Sequence, residues 1–279
     1  MGVKSGSWRD WAAMARLPNV PTVWSNVVTA WVLGGGGFED ADRRQMLFLT
    51  LVAGSLAYVG GTLLNDAGDV DFDRRFRPER PIPAGRLGRI RVAVTALVCL
   101  LAGAVILGMF CPTDLPLWWS TGDKEVFTSQ EVHINGAVYG TDLPGCTLLP
   151  FLLVAAVLAY TAVHKHVPWL GVLLMGLCRP LLALIVFAIA WHGQEVTIGW
   201  LPPAGQLYFV CLWLYVSGIS WTALGEVQPW RRKAVGWMLG MLPVLDAVFI
   251  GWSGPIGWIP VPACCLALSL YLRRVAAAT

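Results

Sequence analysis

Apolar residues fall along this chain in long, nearly unbroken runs, without the strict alternation of strands or the narrow stripe of surface helices. Eight runs stand out: Leu17–Phe38, Met46–Leu64, Val92–Phe110, Thr147–Val163, Trp169–Trp191, Gln206–Leu224, Ala234–Trp252 and Ile256–Leu272. Each is close to the roughly 17–25 residues that cross a hydrocarbon core as a helix. The last two are separated only by Ser253-Gly254-Pro255 and read as a hairpin. A short or re-entrant piece near Pro260–Pro262 would bring the count to nine. The pattern predicts an all-α, polytopic transmembrane helical bundle of about eight to nine helices, forming a single domain over 1–279. One stretch, 111–146, is a loop insertion of a different character. Its Val132–Tyr139 segment alternates β-formers around Asn135-Gly136, the sequence of a tight hairpin turn.

Composition sharpens this picture. The chain is 56% hydrophobic and 13% charged, against about 25% charged in soluble domains. A net charge of +3 is too small to point to nucleic acid. The cations are unevenly placed. With the N-terminus inside, Lys4, Arg9, Arg16, the seven arginines from Arg74 to Arg91, Lys165, Arg231, Arg232, Lys233, Arg273 and Arg274 are all cytoplasmic. Arg43, Arg44 and Lys124 are outside. That bias fixes the expected orientation and makes 111–146 extracytoplasmic. Several of the fifteen tryptophans sit near span ends, as interfacial belts require. Met1–Arg16 is polar and shows no cleavable signal, which favours a prokaryotic plasma membrane. Most of the seven cysteines lie in apolar spans as small hydrophobes. Cys111 and Cys146 bracket the outer loop, where an oxidising compartment would let them pair.

The chemistry concentrates at 65–85. This segment places four aspartates and four arginines at the end of an apolar run. Asn65, Asp69 and Asp73 are spaced i, i+4, i+8 and share one face if the helix continues through them. Their oxygens suit a hard cation, and carboxylate-bound Mg2+ commonly carries a phosphate as well. Topology puts 65–91, 164–168 and 225–233 on one side of the membrane. Met46–Arg91 and Gln206–Trp252 also share a plan of span, charged loop, span, suggesting two related halves.

Asn65-Asp66-x-x-Asp69-x-x-x-Asp73-Arg74, followed by Arg80-Pro81 and Gly85, resembles the first aspartate-rich motif of the UbiA-type intramembrane prenyltransferases. Arg16-Leu17-Pro18-Asn19 with Pro21 and Asn26 is similar to that family's approach to its first helix. Tyr160–His166 is similar to its Tyr-x-x-x-Lys-Arg segment. The resemblance implies a bundle around a central lipid-accessible cavity. It also implies a prenyl diphosphate held with Mg2+, and transfer of its prenyl group to a small acceptor from a cytoplasm-facing site. Asp69, Asp73, Lys165 and Glu226 become the expected catalytic set, with metal at Asn65, Asp69, Asp73 and Glu226. Arg16, Asn26, Asn65, Asp66, Arg77, Arg80, Tyr160, Arg179, Thr222 and Asp246 become candidate substrate contacts.

The family's second paired-aspartate segment is reduced here. Thr222 and Glu226 keep the i, i+4 spacing, but only Glu226 is acidic. That departure resembles the EboC-like branch. It leaves two alternatives to a transferase: a prenyl-lipid carrier or assembly component, and a membrane-bound terpene cyclase. Arg179 and Asp246 lie inside spans, where an ionisable group is either functional or paired within the bundle. His164 and His166 flank Lys165 and either assist on phosphate or titrate at the surface.

Overall fold

A computed structural model describes residues 6–111, 132–134, 137–139, 145–191, 203–224 and 228–278. A short helix, α1 (Trp8–Met14), starts from a capping box in which Ser7 and Asp10 satisfy each other's backbone N–H groups. The chain then turns at Arg16, a non-glycine residue in the left-handed region (φ 48°), into a 3₁₀ turn over Leu17–Asn19 and on into α2 (Val20–Leu33). Asp40 caps α3 (Ala41–Gly68) by accepting from the Arg43 N–H at 2.7 Å. After a bend at Asp69 come α4 (Val70–Phe76) and α5 (Arg89–Phe110). Then follow α6 (Gly145–Val163), α7 (Pro168–Trp191), α8 (Pro203–Ala223), α9 (Pro229–Ser253), a 3₁₀ turn over Ile256–Trp258, and α10 (Pro260–Ala278).

All eight predicted spans are helices. Among the described residues, five segments are long and apolar enough by themselves to cross a membrane. Large apolar side chains such as Phe48, Ile90, Val98, Met109 and Val248 point outward, as lipid-facing residues do. The chain is an integral membrane protein. The expected strand ladder is present: β1 (Val132–Ile134) runs antiparallel to β2 (Ala137–Tyr139), with Ile134 opposite Ala137. Cys111 is buried, and the side chain of Cys146, its expected partner, lies outside the described residues.

Close packing is local and specific. Gly60 of α3 lies against the Ala96 carbonyl and Leu100 of α5, and Gly103 of α5 lies against the Ala53 carbonyl. A Cβ at either glycine would approach a backbone oxygen to within 3.0 Å, so these two positions set the α3–α5 distance in the small-residue manner of membrane helices. The main core, including Val27, Trp31, Ile185, Tyr208, Leu212 and Leu242, joins α2, α7, α8 and α9. Helix α10 is strapped to the 3₁₀ turn before α2 and to α9: Ser269 Oγ donates to the Pro18 carbonyl at 2.8 Å, and Arg273 donates to Asn19 Oδ1 at 2.8 Å and to the Gly236 carbonyl.

Candidate active site

A cavity of about 630 Å³ opens within the ring of helices, with residues of α2, α3, α6, α7, α8 and α9 in its wall. Its walls are mostly apolar, including Val23, Ala57, Leu153, Val157, Val172, Leu182 and Val216. One end is strongly polar: Arg16, Asn65, Asp69, Arg77, Arg80, Tyr160, His164 and Lys165 all line it.

The backbone places these groups. The i→i−4 hydrogen bonds continue past the bend, from Asp69 N–H to the Asn65 carbonyl, Asp73 N–H to the Asp69 carbonyl and Arg77 N–H to the Asp73 carbonyl. Asn65 and Asp69 therefore meet on the cavity side, where Asn65 Nδ2 donates to Asp69 Oδ2 at 3.1 Å. The other carboxylate oxygen, Oδ1, lies 3.1 Å from His164 Nε2 and 3.2 Å from Lys165 Nζ. Lys165 is anchored by donating to the Gly68 carbonyl at 2.6 Å. Asp73 does not join Asn65 and Asp69 on the cavity wall. It is buried, accepts from Arg80 at 2.9 Å and stands 3.9 Å from Arg77. Arg80 also donates to Asp66 Oδ1 at 3.1 Å, and Asp66 takes Arg16 at 3.2 Å. Asp66 and Asp73 thus hold three arginines in place around the mouth.

The charges tune one another. Burial pushes the Asp69 carboxyl up, but hydrogen bonds and charge from His164 and Lys165 outweigh it and hold it below its ordinary range. At Asp73 burial wins, aided by the Asp66 charge, and the carboxyl is raised despite Arg80 and Arg77. His164 is raised above 6.5, first by its bond to Asp69 and then by the Tyr160 carbonyl at 2.9 Å, with burial opposing. Both ring nitrogens face oxygen acceptors, which favours the imidazolium. Because the folded value is raised, His164 contributes stability below about pH 6.5 and loses it as pH climbs through the folded value. Asp69, being lowered, contributes above the ordinary carboxylate range and loses it as pH falls. Thermal melts should therefore show wild type ahead of His164→Gln at pH 6, with the gap closing by pH 9. A gap that widens with pH would contradict the pairing.

The remaining candidates are placed differently. Asp246 is fully buried and accepts from Ser25 Oγ, from Tyr208 at 2.8 Å and, at both oxygens, from Asn26 Nδ2 at 3.0 Å. Asn26 Oδ1 in turn accepts from Arg179 at 2.6 Å. The two intramembrane charges are linked through Asn26 rather than facing each other. Asn26 and Arg179 reach the cavity wall; Asp246 stands behind them. Thr222 donates its hydroxyl to the Gly218 carbonyl at 2.9 Å and is not among the cavity-lining residues. Glu226 lies outside the described residues.

The sequence left His164 between assisting on phosphate and titrating at the surface, and did not show that its partner is Asp69. Its spacing of four from Tyr160, on whose ring it stacks at 4.8 Å, was the available signal. Ser25 and Tyr208 were also missed, and both are polar groups inside apolar spans.

A helical ring in the membrane, closed around an apolar chamber with a cation-rich mouth, defines the class. Residues 20–122 match the sequence model of the UbiA prenyltransferase family. Digeranylgeranylglyceryl phosphate synthase of Thermococcus kodakarensis is 32% identical over 79 residues, which is 28% of this chain and 27% of that protein. The Sulfolobus acidocaldarius enzyme of the same name is 34% identical over 87 residues, 30% of this chain and 31% of that protein. The matched stretches span under a third of these curated relatives. Fold likeness runs further. A solved digeranylgeranylglyceryl phosphate synthase superposes with a TM-score of 0.54 at 15% identity, covering 97% of this chain and 88% of that one. A UbiA homologue from Archaeoglobus fulgidus, bound to DMAPP and Mg2+, gives 0.51 at 12% identity, covering 95% and 86%. The chain thus resembles the UbiA prenyltransferase family in sequence over 20–122 and shares a membrane-helix fold with these solved structures over nearly its whole length.

Proposed function

We propose that the chain is an Mg2+-dependent intramembrane prenyltransferase, moving a prenyl group from a prenyl diphosphate to a small aromatic or polar acceptor. The observation that carries this is the meeting of Asn65, Asp69, His164, Lys165 and three arginines at the mouth of an apolar cavity. The residues fit the metal. Among the described residues no three His, Cys, Asp or Glu side chains cluster as a closed site. Mg2+, however, usually takes one or two carboxylates together with substrate phosphates. Asn65 Oδ1 and Asp73 Oδ1 are buried acceptors with no hydrogen-bond partner among the described residues, and Asp69 lies between them in sequence. Asn65 and Asp69 would hold the ion, with Asp73 Oδ1 available one turn on. When bound, Mg2+ would neutralise charge developing on the departing diphosphate. Lys165, Arg77, Arg80 and Arg16 would bind its oxygens. Tyr160 lines the same end and would supply an aromatic ring to a cationic allylic centre, while the apolar walls would hold the tail and exclude water. The uneven placement of the cations supports a mouth that faces the cytoplasm. The A. fulgidus homologue, captured with DMAPP and Mg2+, supports the same pairing of ligands here.

A second reading keeps the binding and removes the turnover. Asp69 already bears two cations and Asp73 is locked to Arg80, which suits a protein that retains a prenyl lipid. Purified protein, incubated with prenyl diphosphates, aromatic acceptors and a polyprenyl-glyceryl lipid phosphate, separates the two. Diphosphate release that stops with EDTA, with a prenylated acceptor seen by mass spectrometry, is the result expected. Tight binding without release overturns the transferase reading, and a cyclic hydrocarbon product would instead mark a cyclase.

A further inference from the structure

We infer that Arg179 binds an oxyanion of the acceptor, a carboxylate or a phosphate, so that the molecule receiving the prenyl group is an acid. This rests on the prenyl-transfer reading above and adds to it the acceptor's charge and the residue that selects for it. The cavity wall carries polar groups at two levels. One is the mouth. The other is Asn26, Tyr58 and Arg179, with the apolar Val23, Ala57 and Leu182 within a turn of them along their helices. Tyr58 precedes Asn65 on α3 by two turns, about 10 Å of helical rise, and Gly61 lines the wall between them.

Arg179 is pinned from behind. Its Nη1 donates to Asn26 Oδ1 at 2.6 Å and to the Thr22 carbonyl at 3.3 Å, and its Nη2 donates to Thr22 Oγ1 at 3.0 Å. Thr22 is fully buried and is not among the cavity-lining residues. These bonds take the end of the guanidinium formed by Nη1 and Nη2. The edge shared by Nε and Nη2 keeps two N–H groups that meet no acceptor among the described residues, and Arg179 lines the cavity. Two parallel N–H groups in one plane are the fork that receives two oxygens of a carboxylate or phosphate. Charge points the same way. The bonds of Arg179 all end on neutral oxygens, and the carboxylate of Asp246 is reached only through Asn26. A cation inside a membrane is costly without an anionic partner. The Tyr58 ring, its centroid 5.6 Å from the guanidinium, offsets part of that cost, and an oxyanion on the open edge would offset the rest. An acid held there would direct its other end toward the mouth, where the first carbon of a bound prenyl diphosphate would lie.

Calorimetry on the full chain in nanodiscs, preloaded with Mg2+ and uncleavable geranyl thiolodiphosphate, tests this with acceptors paired by charge. The pairs are 4-hydroxybenzoate against 4-hydroxybenzamide, and geranylgeranylglyceryl phosphate against geranylgeranylglycerol. In wild type the anion of one pair should bind about 10–100-fold tighter than its neutral partner, the scale of hydrogen bonds to a charged group. The pair that shows it separates an aromatic acid from a lipid headgroup. Arg179→Met should bring the two affinities of that pair close to equal, and a ratio taken within one variant does not depend on how much of the protein is active. Arg179→Lys, which keeps a donor for Asn26 and loses the fork, should retain only part of the preference. A structure of the wild-type complex with the preferred acid should show its oxyanion on Nε and Nη2, and decides the assignment if neither variant folds. No preference in either pair, a full preference kept in Arg179→Met, or an oxyanion seated elsewhere overturns the inference alone. A wild-type protein that does not bind the thiolodiphosphate sinks the prenyl-diphosphate reading and this inference with it.

Discussion

Asp69→Ala should lower Mg2+-dependent diphosphate release by about 10²–10³-fold, the loss typical of removing one preorganised charge-stabilising group. The reason is local. Asp69 is the carboxylate that faces the cavity, its Oδ2 held by Asn65 and its Oδ1 shared by His164 and Lys165. Alanine would remove the carboxylate proposed to hold the metal and would leave two cations without the group that positions them. Asp69→Asn should recover little, because it restores shape without charge. Initial rates of diphosphate release, with protein amount and melting temperature matched, measure the effect. A rate within about threefold of wild type would show that this carboxylate is not where ionisation is assisted.

Asp246→Ala should instead cost stability. The carboxylate is fully buried and collects Ser25, Tyr208 and both contacts from Asn26. Truncation strands those donors and loosens Asn26, and with it Arg179. Breaking a buried charged cluster from one side costs about 3–5 kcal/mol, and about 2–4 °C per kcal/mol puts the melting temperature roughly ten degrees lower. Thermal melts of the purified protein in detergent check this. A melt within a degree or two of wild type would mean that the donors find other partners.

Span positions were legible because hydrocarbon thickness imposes a length on every crossing, and the eight runs carry that length openly. The hairpin at 132–139 was legible from Asn135-Gly136 for a similarly local reason. The mouth was only half legible. Spacing put Asn65, Asp69 and Asp73 on one helical face, yet the chain bends at Asp69, and Asp73 is drawn to Arg80, which also pairs with Asp66. Which carboxylate faces the cavity and which restrains the arginines depends on contacts between residues far apart in sequence, such as Arg16 with Asp66 and Asp69 with His164. His164 was hidden for the same reason: only the approach of α6 to the end of α3 makes it a partner of Asp69. The Asp246 cluster joins α2, α8 and α9, and no pattern within a single span reveals it.

The strap between the chain's ends bears on biogenesis. Ser269 and Arg273 grip Pro18 and Asn19 across 251 and 254 residues. The gripped turn follows directly on Arg16, which reaches Asp66 at the mouth. During synthesis the first span enters the membrane long before its clasp exists. The mouth therefore acquires its final form only after the last helix is inserted, and a nascent chain halted short of α10 would hold the aspartate segment without the turn that completes it.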